Sequence, residues 1–214
     1  MADNITVLIT GPNRALLEKF LARSNTTVVA GVRDPAAEAS QQLSNASTAQ
    51  GSKLVVVKID SATDGDAKAA VAELQSKHGV DRLDVVIANA GHGERVAPVL
   101  DSSPDNVRNH LNVNLIGVLT LFQATEPLLR KSNAPKFFAM SSNLGSLGVM
   151  TALNYLTRKI HFENEWLTAV ALSPGWVQTD MGQLAADAVG MEAAPLKLED
   201  SVKGLVQVVS WDRR

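Results

Sequence analysis

The chain has 214 residues, 45% of them apolar, enough to bury one α/β core and far from the disordered regime. Twenty Lys and Arg against 22 Asp and Glu leave a net charge of −2, which argues against nucleic acid or an anionic membrane as the main partner. Cysteine is absent, excluding disulfides, thiolate metal sites and cysteine nucleophiles, and no pair among the four histidines has metal-ligand spacing, so no metal is expected. No apolar run approaches a membrane span and the start lacks a basic leader region, so a soluble, cytoplasmic protein is expected.

In chain order, short β-branched runs alternate with longer helical patterns. Strands are predicted at Ile5–Ile9, Thr27–Val32, Leu54–Ile59, Leu83–Ala88, Lys136–Ser141 and Thr168–Leu172. Helices are predicted at Ala15–Arg23, Asp34–Leu43, Gly65–His78, Pro104–Leu129 and Ala152–Asn164. The strands are apolar throughout rather than alternating, as expected when helices cover both faces of a parallel sheet. Right-handed crossovers then give a Rossmann-type doubly wound sheet, and nothing in the sequence divides residues 1–214 into more than one domain. Ligands of such sheets sit beyond the carboxyl ends of the strands, so the residues after each strand are the candidates.

The first strand is followed by Gly11, Pro12, Asn13 and Arg14 and then a helix, a turn that suits a pyrophosphate but also suits an ordinary βα connection. Arg33 and Asp34 follow the second strand; an arginine there accommodates a ribose 2′-phosphate, with Arg14 able to join it, whereas a plain solvated turn is the alternative. Asp60 and Ser61 follow the third strand. Asn89, Ala90 and Gly91 follow the fourth, small enough for a cofactor to approach, with Asn89 able to tie neighbouring strands. Asn112, Asn114 and Gly117 interrupt a Leu-rich helix at a cost in propensity that has no local reason. Ser141 and Ser142 leave the fifth strand, and Pro174, Gly175, Val177 and Thr179 follow the sixth.

Taken in order, the Thr10-Gly11 start, Asn89-Ala90-Gly91, Asn114, Ser142-x-x-Gly145 and Pro174-Gly175-x-Val177-x-Thr179 resemble the short-chain dehydrogenase/reductase family over almost the whole chain. The stretches Lys159–Asn164 and Val177–Gly182 are similar, more narrowly, to fungal ketoreductases of the norsolorinic acid ketoreductase type. The resemblance implies NADP(H) as cofactor and hydride transfer to a small carbonyl or alcohol substrate. Ser142 would position the carbonyl oxygen, and Asn114 would hold a water linking the catalytic lysine to solvent. It also implies a homo-oligomer, dimer or tetramer, paired through the two helices that contain Asn114 and Tyr155. A protein that binds the dinucleotide without catalysis, reporting redox state to a partner, is the alternative.

The chain departs from the family in three places. The Thr-Gly-x-x-x-Gly-x-Gly motif has Ala15 and Leu17 where its later glycines belong. Tyr155 and Lys159 match Tyr-x-x-x-Lys at the family's usual spacing after Ser142, yet in similar ketoreductases this run follows a separate Tyr-x-x-x-Lys upstream. Val209 and Ser210 stand where a loop and last strand are usual. The sequence therefore suggests skipped segments near Arg14–Ala15, Met150–Thr151 and Val209–Ser210, with the catalytic Tyr/Lys pair in the second and Tyr155 one step beyond the site.

Overall fold

All six apolar runs form strands of one parallel sheet: β1 (Ile5–Thr10), β2 (Thr26–Val32), β3 (Lys53–Lys58), β4 (Val85–Ala88), β5 (Lys136–Met140) and β6 (Thr168–Leu172), in the order β3-β2-β1-β4-β5-β6. The computed structural model describes residues 4–93, 99–101, 103–142 and 149–210. Every residue of β2 and β4 is buried, which accounts for the apolar run of β4 and of β2 after Thr26 and Thr27. The winding direction reverses between β1 and β4, the point where a doubly wound sheet opens a ligand crevice.

Helices cover both faces. On one side lie α1 (Arg14–Leu21) and α8 (Leu198–Val209), packing Leu16, Leu17, Phe20, Val202 and Leu205 on Val7, Ile9 and Val28. On the other lie α3 (Asp66–His78), α5 (Gly117–Leu129) and α6 (Val149–Glu163), packing Leu74, Leu121, Leu128, Leu153 and Ile160 on Leu8, Val86 and Phe137. Short-range chemistry sets the ends: Asn13 caps α1 by accepting from the Leu16 amide at 2.8 Å, and Gly79 ends α3 in the left-handed region. Arg23 lies over the Phe20 ring and donates to Ser210 Oγ, joining the end of α1 to the residue after α8; burial pushes its guanidinium pKa down.

Several expectations need correction. The helix predicted over Asp34–Leu43 is only α2 (Glu38–Gln42) with a 3₁₀ turn after it, because the Asp34 carboxylate accepts from the Ala36 amide and closes a tight turn first. The helix predicted over Pro104–Leu129 divides into α4 (Pro104–Leu111), one π-helical turn (Asn112–Ile116) and α5. Two helices were missed: α7 (Asp180–Ala188), capped by Thr179, and α8. Local structure carries on across the three suspected junctions. Asn13 bonds to the amides of Leu16 and Leu17 across Arg14–Ala15, α6 runs through Met150–Thr151, and the Ser210 amide donates to Val206 across Val209–Ser210.

Gly117 now has its reason. A Cβ there would press into the Ser61 carbonyl oxygen and lie 2.8 Å from Ser61 Cβ, so a glycine is needed for α5 to start against the loop after β3. Gly→Ala inside a helix ordinarily stabilises by about 1 kcal/mol. Here Gly117→Ala is expected to destabilise by about 1–3 kcal/mol through overpacking, measured as a lower urea midpoint at unchanged m-value.

Candidate active site

Where β1 and β4 end, side chains replace the sheet ladder. Thr10 Oγ1 accepts from the amides of Asn89 and Ala90, each at 3.1 Å. Asn89 Nδ2 donates to the carbonyls of Thr10 (3.2 Å) and Gly11 (2.6 Å). The Gly11 amide donates to the Gly31 carbonyl at 2.8 Å, tying in β2. Gly11 has φ +52°, and a Cβ on it would meet Ala90 Cα at 2.9 Å, so this crossing needs a glycine at that point.

Asn114 is buried in the π turn and holds the next stretch of chain at two points. Its Oδ1 accepts from the His92 amide at 2.8 Å and its Nδ2 donates to the His92 carbonyl at 2.9 Å. The widened turn sets this amide between the sheet's exit loop and the helix. The His92 ring meets His110, one turn before Asn114, edge-on at 4.9 Å. Gly91, held between Asn89 and this clamp, keeps an open flank: a Cβ there would come no nearer than 3.7 Å to anything.

Ser142 follows β5 half-buried; the rest of its motif, through Gly145, lies outside the described residues. Ser141 Oγ donates to Asn154 Oδ1 at 2.8 Å and lies 4.0 Å from Met150 Sδ, so α6 turns its Met150 and Asn154 face toward the end of β5. Tyr155 is on another face, 69% exposed, together with Arg158, Lys159 and Phe162. Lys159 pairs with Glu163 at 3.4 Å and Arg158 lies over the Phe162 ring. Tyr155 and Lys159 share a helical face, and it is the solvent face.

After β6, the Pro174 carbonyl accepts from Ser201 Oγ of α8 at 2.7 Å, and Gly175 packs against Leu196. Val177 pairs with Leu196, and Thr179 caps α7 through the Gly182 amide. From α7, Met181 reaches Gly93 and so meets the segment that leaves β4. On the nucleotide side, Asp60 Oδ1 accepts from the Ala62 amide and Ser61 packs under Gly117. Arg14 is held by Glu18 at 2.7 Å along its own helix, whereas Arg33 is exposed and makes no ion pair among the described residues. The roles of Asn154, Ser201, Met181 and the Thr10 hydroxyl escaped sequence reading. Asn154, Ser201 and Met181 lie in helices, so only Thr10, at a strand exit, carried a signal that could have flagged it.

These residues fit a dinucleotide at both ends of the crevice: Arg33 suits a 2′-phosphate, and the Asn89–Gly91 turn with Ser142 suits the reacting ring. The middle fits less well, since Ala15 and Leu17 replace glycines and Leu17 is wholly buried.

A doubly wound domain with its polar side chains gathered at the strand exits is a scaffold suited to binding a nucleotide there. The family model for short chain dehydrogenase matches residues 6–189, and the chain belongs to that family. A norsolorinic acid ketoreductase of Dothistroma septosporum is 40% identical over 222 positions, covering 94% of this chain and 82% of that protein. One of Aspergillus parasiticus is 37% identical, covering 95% and 82%. Among solved structures, NADPH-bound carbonyl reductase from chicken fatty liver is 27% identical with TM-score 0.81, covering 97% of this chain and 92% of that one. The 222 aligned positions exceed the 214 residues of this chain, so the Dothistroma relative carries residues inside the matched region that have no counterpart here.

Asn114→Ala removes both bonds to His92 and leaves that half-buried amide and carbonyl without them. It is expected to cost about 2–4 kcal/mol in urea denaturation, and to speed hydrogen exchange at the His92 amide more than at the β1 amides.

Proposed function

We propose that this protein carries the site of an NADP(H)-dependent ketoreductase, moving a hydride between the nicotinamide and a small or aromatic carbonyl compound. The observation that carries the reading is the reversal of strand order between β1 and β4, with the Asn89–Gly91 turn and the Asn114 clamp after β4 and Ser142 after the neighbouring β5. Reduced nicotinamide supplies the hydride when bound. Ser142 donates a hydrogen bond to the substrate oxygen and stabilises the charge that develops on it. Asn89 and Asn114 hold the facing backbone, so the crevice is shaped before ligand arrives. Gly175, Val177 and Thr179 follow β6, and Met181 of α7 packs on Gly93 in the segment that leaves β4.

The preference for NADP(H) rests on Arg33, an exposed cation at the end of β2, with the Asp34 carboxylate turned into its own Ala36 amide and so not aimed at a phosphate. Arg33→Ala is expected to weaken NADPH binding by about tenfold or more, the loss of a charge-assisted contact, and to leave NADH almost unchanged. Calorimetric titration of both cofactors checks this, and equal losses would remove the assignment.

Tyr155 does not serve as the proton donor, because its face of α6 points away from Ser141. Met150 and Asn154, which face Ser141, are not acids. The proton donor of the proposed reaction therefore belongs to the segment that relatives hold upstream of Thr151. The same observation favours a second reading, a family member that binds the dinucleotide without turnover. Tyr155→Phe is expected to leave any carbonyl-dependent NADPH oxidation unchanged. Inserting a segment that carries Tyr-x-x-x-Lys at the Met150–Thr151 junction is expected to raise that rate by at least about a hundredfold, the scale of one acid catalyst. Turnover by the unaltered chain that disappears in Tyr155→Phe would defeat this placement.

The proposal includes a homo-oligomer. Ile116, Tyr155 and Phe162 are 39%, 69% and 67% exposed on neighbouring helices, more apolar surface than a free helix face needs. Phe162→Glu is expected to shift a dimer or tetramer toward monomer in sedimentation at micromolar concentration.

A further inference from the structure

The opposite end of the sheet, where the strands begin, holds a cavity that the nucleotide reading does not use. Its floor is one lateral row of the sheet. Thr6 of β1 pairs in register with Thr27 of β2, and Thr27 with Lys53 of β3, so the three side chains stand side by side on one face. The next row inward on that face, Leu8, Val29 and Val55, is buried in the core with Ala70 and Leu74 of α3. The outer row lies beyond the helix. α3 ends at Gly79, and the turn from Gly79 to Arg82 joins Asn4 in completing a cavity of about 490 Å³. That volume is in the range that holds small-molecule ligands.

Thr6 is 6% exposed and lines this cavity, yet its hydroxyl makes no hydrogen bond among the described residues. A buried hydroxyl left so costs free energy unless something outside the chain meets it. Beside it, Thr27 Oγ1 accepts from Asn4 Nδ2 at 3.1 Å, and the Lys53 ammonium is exposed with no ion pair among the described residues. Arg82 Nη2 donates to the Asn4 carbonyl at 2.7 Å, while its Nε is buried without a hydrogen bond among the described residues, 3.1 Å from Asp84 Oδ1. Asp84 already accepts from Ser132 Oγ at 2.6 Å and from the Thr6 amide at 2.8 Å, so it compensates the guanidinium only in part. Donors and cations therefore dominate the lining. Asp81, exposed in the turn, is the one carboxylate among the lining residues and suits a hydroxyl donor.

We infer that this cavity at the amino end of the sheet is a second ligand site, for a small anion that also carries a hydroxyl: a phosphomonoester or a hydroxycarboxylate. Lys53 and Arg82 meet the anionic group. The Thr6 hydroxyl gains the partner it lacks, and Asp81 accepts from the hydroxyl of the ligand. The ligand joins the starts of β1, β2 and β3 to the turn before β4, and it stabilises the fold without entering the crevice at the other end.

The test is calorimetric titration of the 214-residue chain with glycerol 3-phosphate and, separately, with malate, against sodium chloride at matched ionic strength. At least one probe is expected to bind with Kd below about 1 mM, and the tighter of the two shows whether phosphate or carboxylate is preferred. Excess NADPH is expected to leave that binding unchanged. Lys53→Gln, an exposed substitution, is expected to weaken it by about tenfold, the loss of one charge-assisted contact. Thr6→Val keeps the side-chain shape and removes only the unpaired hydroxyl. It is expected to weaken the probe by about fivefold and to raise the urea midpoint of the ligand-free chain. If neither probe reaches a Kd of about 1 mM, the cavity holds water alone and the inference falls. It falls equally if NADPH displaces the probe, or if Lys53→Gln binds as tightly as the unaltered chain.

Discussion

A parallel sheet that separates at its carboxyl end leaves backbone donors and acceptors that the ladder no longer satisfies. Between β1 and β4 this problem is solved by the Thr10 hydroxyl and the Asn89 carboxamide, which together replace the next rungs. Buried backbone groups must find partners, so the two side chains are structural before they are anything else. They also decide the shape of the crevice. Once Asn89 is fixed, Ala90 and Gly91 have one path out of the sheet, and Asn114 meets that path at His92.

The clamp at His92 has consequences along the helix that supplies it. A carboxamide that engages an amide and a carbonyl of one residue needs a defined depth and orientation, and one π turn provides it. After that turn, α5 begins so close to Ser61 that only glycine fits at position 117. The loops after β3 and β4, on opposite sides of β1 in the sheet, are in this way both fixed by one helical segment. The cost in propensity at Asn112, Asn114 and Gly117 is offset by tertiary contacts rather than by anything local.

This division explains what could be read in the sequence. The strands were legible because burial within the sheet leaves them rich in β-branched apolar residues, whereas the strand order, and with it the switch point, emerged only in the fold. The polar strand exits were legible as candidates because small and amide residues are out of place beside such runs. The π turn was not, since its spacing differs from an α-helix by a single residue and no composition marks it. α7 and α8 were missed for another reason: the chain from Pro174 onward follows backbone pairing of Val177 and Gln178 with Leu196, a long-range contact with no local signature. The Ser201 bond to the Pro174 carbonyl is of the same kind.

Tyr155 shows how far spacing alone can mislead. Counting residues from Ser142 puts it where a family acid belongs, and Lys159 follows one helical turn later. A helix, however, turns about 100° per residue, so a motif displaced by one position faces a different neighbour. Asn154 bonds Ser141, and the next residue is thereby carried out of the crevice and into solvent. The bond to Ser141 fixes the rotation of α6, with Leu153, Thr157 and Ile160 buried beneath it, and no rotamer of Tyr155 changes which side of the helix it leaves from. Bringing a tyrosine to Ser142 requires chain added before Asn154 along the face that already holds Met150.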